Sequence, residues 1–228
     1  MTENFRAACF DLDGTLVDTE PIHVEAERQT LLHFGKEPAA DHPRKFGIGV
    51  EAGMTTLAAF YGLGDPQRVL AAYVPLWEQL LHERLKTLPG AQELLTAMGD
   101  ASIPLAMVTS GDDEYAQLVL NRVGIAGRFV FTVTGDDVSQ MKPSPEPYLL
   151  AAERFGLQPG QVLVFEDSAA GVASAVAAGM FCVAVAADVH ERPELDAAQQ
   201  HITSLTEFGP PEVQRLFETG DEDAVWLF

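Results

Sequence analysis

Apolar residues gather along this chain in two kinds of stretch. Short runs that are almost continuously apolar occur at Ala7–Phe10, Leu105–Thr109, Phe129–Thr132, Val162–Phe165 and Phe181–Ala186. They do not alternate with polar residues. That is the pattern of parallel strands covered on both faces. The segments between them carry helix punctuation. One opens on the acids after Ser110 and closes on Gly124. A second takes Ser144 as N-cap with Pro145 just inside, and ends at Gly156. A third begins at Asp167-Ser168 and stops at Gly179. Ser204 and Glu207 stand at capping-box spacing further on. Strand and helix alternating in this way predict an α/β fold, a doubly wound, Rossmann-like parallel sheet.

One region breaks the alternation. Residues 18–87 show helical patterns and no strand. An amphipathic segment from Glu20 closes on Gly35, and two more follow at Val50–Gly62 and Asp65–Leu85. Pro75 is expected to kink or break the last of these. Leu88-Pro89-Gly90 then marks the return to alternation. The organisation expected is an α/β core built from residues 1–17 and 88–228, with a helical cap domain inserted at 18–87. The 228 residues suffice for such a core with a modest insert.

Charge narrows the function. The formal net charge is −20, with 34 acidic residues against 14 Lys and Arg. Such a surface repels nucleic acid, and it repels small anionic substrates unless local cations compensate. The two cysteines, Cys9 and Cys182, lie in apolar runs without metal-binding spacing, and are expected as buried thiols. The N-terminal stretch lacks the build of a signal peptide, and no apolar run has the length of a membrane span. A cytoplasmic monomer is expected.

In open α/β sheets chemistry gathers beyond the carboxyl ends of the strands. Here the first expected strand runs into Asp11-Leu12-Asp13, the second into Thr109-Ser110-Gly111, and the fourth into Glu166-Asp167-Ser168. Lys142 lies in a loop before a helix. Each has a plainer role open to it: a turn for Asp11–Asp13 and for Thr109–Gly111, a helix cap for Glu166-Asp167, solvent for Lys142. Their shared position at strand ends instead points to one rim carrying four carboxylates, a hydroxyl pair and an ammonium. Residues two apart in a strand share a face, so Asp11 and Asp13 are expected to point the same way.

With these residues in place, the chain resembles haloacid-dehalogenase-superfamily phosphatases with a small helical cap, a group that includes phosphoglycolate phosphatases and β-phosphoglucomutases. Asp11-Leu12-Asp13-Gly14-Thr15-Leu16 is similar to the first motif, Val108-Thr109-Ser110 to the second, Lys142-Pro143 to the third, and Val164-Phe165-Glu166-Asp167-Ser168 with Gly171 to the fourth. The order and spacing of all four make the resemblance specific, and it covers nearly the whole chain.

The resemblance implies hydrolysis of small phosphomonoesters, such as sugar phosphates, through an aspartyl-phosphate. Asp11 is then the nucleophile, and Asp13 the acid for the leaving oxygen and the base for water. Asp11, the backbone carbonyl of Asp13, Asp167 and Glu166, directly or through a water, are implied as Mg²⁺ ligands. Lys142, Thr109, Ser110 and Gly111 are implied around the phosphate. His23 follows the first motif closely and is a candidate for the substrate, while Arg44 and Lys45 are candidates for a second anionic group.

A β-phosphoglucomutase is the alternative, and His23 fits it. But Gly49-Val50-Glu51 stands where that mutase carries an arginine for its second phosphate. Dehalogenases lack a second Asp at the position of Asp13. A receiver-type signalling domain uses similar parts in another order, with its acidic pair first, and has no helical insert. A phosphate-binding protein without turnover has no need of Asp13.

Overall fold

The structure, a computed structural model, describes residues 5–43 and 50–217. Two compact units emerge from its internal contacts. One comprises Met1–Val17 with Thr87–Phe228, the other Asp18–Lys86. Thr87 was expected in the insert. It falls with the α/β unit because it pairs with Val17 in an antiparallel bridge, while Leu88 N–H donates to Leu16 C=O at 2.9 Å.

The α/β unit is built on a parallel sheet of β1 (Ala7–Phe10), β2 (Leu105–Val108), β3 (Phe131–Val133), β4 (Val162–Glu166), β5 (Phe181–Val185) and β6 (Gln200–Ile202), in the order β3-β2-β1-β4-β5-β6. β1, β2 and β4 are buried throughout, as continuous apolarity requires of strands covered on both faces. Cys9 in β1 and Cys182 in β5 are buried free thiols, and burial pushes both thiols up. The chain lays down β1, β2 and β3 in one direction, then returns to place β4 on the other side of β1. The crevice beside β1 is therefore a topological switch point, the place where open α/β sheets bind ligands.

Two strand readings shift. The third strand begins at Phe131 rather than Phe129, because register with β2 pairs Ala106 with Phe131 and a 3₁₀ turn occupies Ala126–Arg128. β6 has only three residues, two of them half-buried, so it left no apolar run to read.

Helices α4 (Ala91–Asp100), α5 (Asp113–Val123), α6 (Glu146–Phe155), α7 (Ala169–Ala177) and α8 (Pro210–Leu216) complete this unit among its described residues. Asp112 caps α5 by accepting Tyr115 N–H at 2.8 Å, and Ser168 caps α7 by accepting Gly171 N–H at 3.0 Å. Ser144 does not cap α6 in the expected way. Pro145 takes the cap position, and the Ser144 hydroxyl only accepts Glu146 N–H at 3.3 Å. Ser204 opens a single 3₁₀ turn instead of a helix, because Glu207 turns to the N–H and hydroxyl of Thr203.

The second unit holds α1 (Glu20–His33), α2 (Val50–Tyr61) and α3 (Pro66–Arg84). α3 runs through Pro75 without interruption. An internal proline costs a helix about 3 kcal/mol. Burial of Val69, Tyr73, Leu80 and Leu81 along the same helix outweighs that. Arg44, Lys45 and Gly49 lie outside the described residues. Glu51, in the first turn of α2, accepts from Gln67 Nε2 at 3.0 Å. Among the described residues no helix is long and apolar enough to cross a membrane.

Candidate active site

β1 ends at Phe10, whose ring stacks on Phe165 of β4 at 4.7 Å. The pairing of Phe10 with Met107 and with Phe165 brings the ends of β2 and β4 level with Asp11. Asp11 N–H donates to Phe165 C=O at 3.0 Å, which carries the sheet bonding one residue past the strand. The backbone then turns tightly. Gly14 adopts φ +83°, its N–H donates to Val17 C=O, and Leu16 N–H returns to Leu12 C=O. Asp13 thus belongs to this turn, and strand alternation does not govern where it points.

Lys142 is the hub of the rim. Its side chain is 4% exposed. Its ammonium donates to Asp11 Oδ1 at 2.6 Å, Glu166 Oε1 at 2.6 Å and Val108 C=O at 2.8 Å. An ammonium has three protons, so every one is placed, and the ends of β1, β2 and β4 are tied to one cation. Burial alone would push Lys142 down, but Asp11 and Glu166 outweigh it and hold the ammonium above its ordinary value.

Glu166 is fully buried. Its Oε1 also accepts from the Tyr148 hydroxyl at 2.7 Å, while Oε2 accepts from Ser168 Oγ at 3.2 Å and Ser168 N–H at 3.4 Å. Gly171 is required here, since a Cβ on it would sit 1.9 Å from the Glu166 carboxyl. Gly14 does the same for Asp167: a Cβ there would lie 2.2 Å from Oδ2. Thr15 Oγ1 donates to Asp167 Oδ1 at 3.4 Å. Two glycines therefore leave the space that two carboxylates fill.

Oxygens of Asp11, Glu166 and Asp167 lie within 4.8 Å of one another. Two of these carboxylates, Asp11 and Glu166, share the Lys142 ammonium and the half-buried Asp167 adds a third, so like charge is in excess. Burial first, and then Glu166, push Asp167 up to about 7. Burial likewise raises Asp11 well above the carboxylate range; Glu166, Asp167 and Asp13 add to this, and Lys142 only partly opposes it. A hard divalent cation takes oxygen ligands of this kind and supplies the missing positive charge. The donor set fits such an ion.

The remaining candidates have partners of their own. Asp13 Oδ1 accepts a hydrogen bond from the Tyr115 hydroxyl. Thr109 follows β2, is 4% exposed, and donates its N–H to Val133 C=O at 2.9 Å. Its Oγ1 accepts Gly111 N–H at 3.1 Å. Gly111 N–H, expected to meet a phosphate, is thus turned onto Thr109 and leaves the hydroxyl proton of Thr109 to donate. Ser110 is half-buried beside them. His23 belongs to the other unit. Its Nδ1 lies 2.5 Å from the Tyr73 hydroxyl, and its ring stacks on Trp77 at 5.9 Å.

Residues 5–179 match the family of haloacid dehalogenase-like hydrolases. The chain belongs to that family. It is 32% identical to validoxylamine A 7′-phosphate phosphatase from Streptomyces hygroscopicus subsp. limoneus, over 92% of this chain and 98% of that protein. It is 36% identical to a phosphorylated carbohydrates phosphatase from Thermotoga maritima, over 76% and 82% of the two chains. A solved structure from Thermotoga maritima, described as a candidate β-phosphoglucomutase, superposes with a TM-score of 0.79 at 32% identity, covering 92% of this chain and 96% of that one.

In this hydrolase, sequence reasoning passed over Tyr115 and Tyr148. Neither sits at a strand end, and both reach the rim from helices. Tyr148 is fully buried in α6, and its ring centroid lies 5.2 Å from the Lys142 ammonium. A tyrosine two residues into a helix beside a lysine loop was the available signal.

Proposed function

We propose that this hydrolase is a Mg²⁺-dependent phosphatase of phosphorylated carbohydrates and similar small metabolites, working through an aspartyl-phosphate on Asp11. The observation that carries the reading is the cluster of Asp11, Glu166 and Asp167 at the carboxyl ends of adjacent parallel strands, with the Lys142 ammonium bonded to the first two. Kinship to phosphatases of phosphorylated carbohydrates supplies the substrate class.

Lys142 holds the Asp11 carboxylate by Oδ1 and so presents it to phosphorus in a fixed orientation. Asp13 gives its proton to the leaving oxygen as the P–O bond breaks. It then takes a proton from the water that hydrolyses the acyl phosphate on Asp11. The Thr109 hydroxyl and Ser110 N–H meet the phosphoryl oxygens, over which charge spreads in the transition state, and Lys142, its three protons placed on Asp11, Glu166 and Val108, contributes its positive charge nearby. Asp11, Asp167 and the backbone carbonyl of Asp13 would hold Mg²⁺. Glu166 serves from the outside, because its two oxygens already accept four hydrogen bonds. When bound, the ion offsets repulsion between Asp11 and the incoming phosphate. His23 is a candidate for the substrate.

The test is phosphate release with Mg²⁺ across sugar phosphates, phosphoglycolate, nucleotides and β-glucose 1-phosphate, with glucose 6-phosphate followed in parallel. Release from sugar phosphates, silenced by EDTA and restored by Mg²⁺, is expected. Isomerisation of β-glucose 1-phosphate without phosphate release establishes the mutase instead, the reading that the Thermotoga maritima structure favours. Activity indifferent to chelation removes the metal from the proposal.

A further inference from the structure

One partner of Asp13 is a residue that the first motif gives no reason to expect. Tyr115 lies in the first turn of α5, and its own N–H is pinned to the Asp112 cap at 2.8 Å. Its ring lies against the backbone at Gly111. A Cβ on Gly111 would approach Tyr115 Cδ1 to 2.5 Å and Cε1 to 3.2 Å, so the missing side chain is what admits the ring. From there the hydroxyl donates to Asp13 Oδ1, 102 residues away in sequence. Cap, glycine and ring together fix where that hydroxyl stands.

We propose that Tyr115 is a positioning residue for proton transfer, its hydroxyl fixing the Asp13 carboxyl so that the proton given to the leaving oxygen is carried on Oδ2. A neutral carboxyl has one O–H and one carbonyl oxygen, and the oxygen that accepts from Tyr115 is the carbonyl one. As the bond from phosphorus to the leaving oxygen breaks, its electron pair stays on that oxygen. The Oδ2–H bond breaks with it, the proton passes to the leaving group, and Asp13 is left as a carboxylate. Tyr115 keeps its own proton and stabilises that carboxylate through the same hydrogen bond. The inference rests on the reading of Asp13 as the general acid.

The experiment compares kcat/KM of Tyr115→Phe on two substrates: the best alkyl phosphomonoester of the panel, and p-nitrophenyl phosphate. Nitrophenolate leaves without a proton, and kcat/KM reports only steps up to leaving-group departure, so the later work of Asp13 on water does not enter. The alkyl value is expected to fall ~10-fold and the aryl value by less than about two-fold. The aryl value also reports that the variant folds and binds. Equal losses on both substrates, no loss on either, or a gain on the alkyl phosphate overturn the proposal; a gain means that the hydroxyl holds Asp13 back.

Asp13→Asn and the double variant are assayed beside it. Adding Tyr115→Phe to Asp13→Asn should cost nothing further, and another ~10-fold loss assigns Tyr115 to something other than Asp13. Full alkyl activity in Asp13→Asn removes the underlying reading of Asp13. A loss of about 10²-fold in Asp13→Asn, with Tyr115→Phe unaffected, leaves that reading intact and overturns the inference alone.

Discussion

Two polar clusters in this protein are built on opposite terms. In the helical unit, Glu27 Oε2 lies 2.8 Å from His42 Nε2, His42 Nδ1 lies 2.9 Å from the Tyr61 hydroxyl, and that hydroxyl accepts Ala39 N–H at 2.8 Å. One assignment that satisfies every group has Tyr61 accept from Ala39 and donate to Nδ1, with the ring proton on Nε2 facing Glu27. Every donor in that series meets an acceptor from the same unit. At the sheet rim, Asp11 and Glu166 share one ammonium while Asp167 stands with them, so carboxylates outnumber the cation that faces them. A balanced network holds a fold together. Buried like charge without a counterpart works against the fold, and is explained by something that arrives from outside.

The sharpest way to break this comparison is Asp11→Asn. Removing one of the crowded charges should abolish turnover above background while the thermal midpoint stays the same or rises, because Asn Oδ1 still accepts from Lys142 and repulsion with Glu166 and Asp167 falls. Phosphate release and a thermal melt on the same preparation check it. A lower midpoint together with retained activity would make the rim a structural ion cluster.

Glycines give the next largest contrast. Gly171→Ala drives a Cβ to 1.9 Å from the Glu166 carboxyl, which is itself fixed by Lys142, Tyr148 and Ser168 and cannot step aside. A loss of about 3 kcal/mol in unfolding free energy is expected. Gly35→Ala, just past α1, meets nothing within 4 Å and suffers only from φ +69°. Left-handed strain there is partly offset by a stiffer unfolded chain, so its loss should stay near 1 kcal/mol or below. Denaturant titration of the two variants separates packing from backbone. Equal losses would mean that Glu166 is less firmly held than its bonds imply.

Much of the α/β unit was legible because burial on both faces writes itself as unbroken apolar runs, as at Val162–Phe165 and Phe181–Val185. The candidate site was legible for a related reason: polar residues close several of these apolar runs in turn, where any one alone would read as a turn or a cap. What failed depended on three-dimensional neighbours. Pro75 sits inside an unbroken α3 because tertiary burial outweighs a local penalty. β6 is too short and too exposed to leave a pattern. Asp11 and Asp13 were aligned by an argument about strands, yet β1 ends one residue before them and a glycine turn sets their geometry. Tyr115 and Tyr148 contribute single hydroxyls from helices, and nothing in helical periodicity says which side-chain tip will reach a carboxylate.

The smallest effect sharpens the comparison from its balanced side. Tyr61→Phe keeps the ring but removes the oxygen that receives Ala39 N–H and pairs with His42 Nδ1. These groups are partly exposed, so water replaces some of what is lost, and about 1 kcal/mol of stability should go. No excess charge is created, and Glu27 keeps its partner in His42. The value of kcat/KM for p-nitrophenyl phosphate should therefore change by less than about two-fold, since no group at the sheet rim is altered. A melt and that one rate decide the matter. A large loss of rate without a loss of stability would mean that the helical network, like the rim, answers to the substrate and not to the fold.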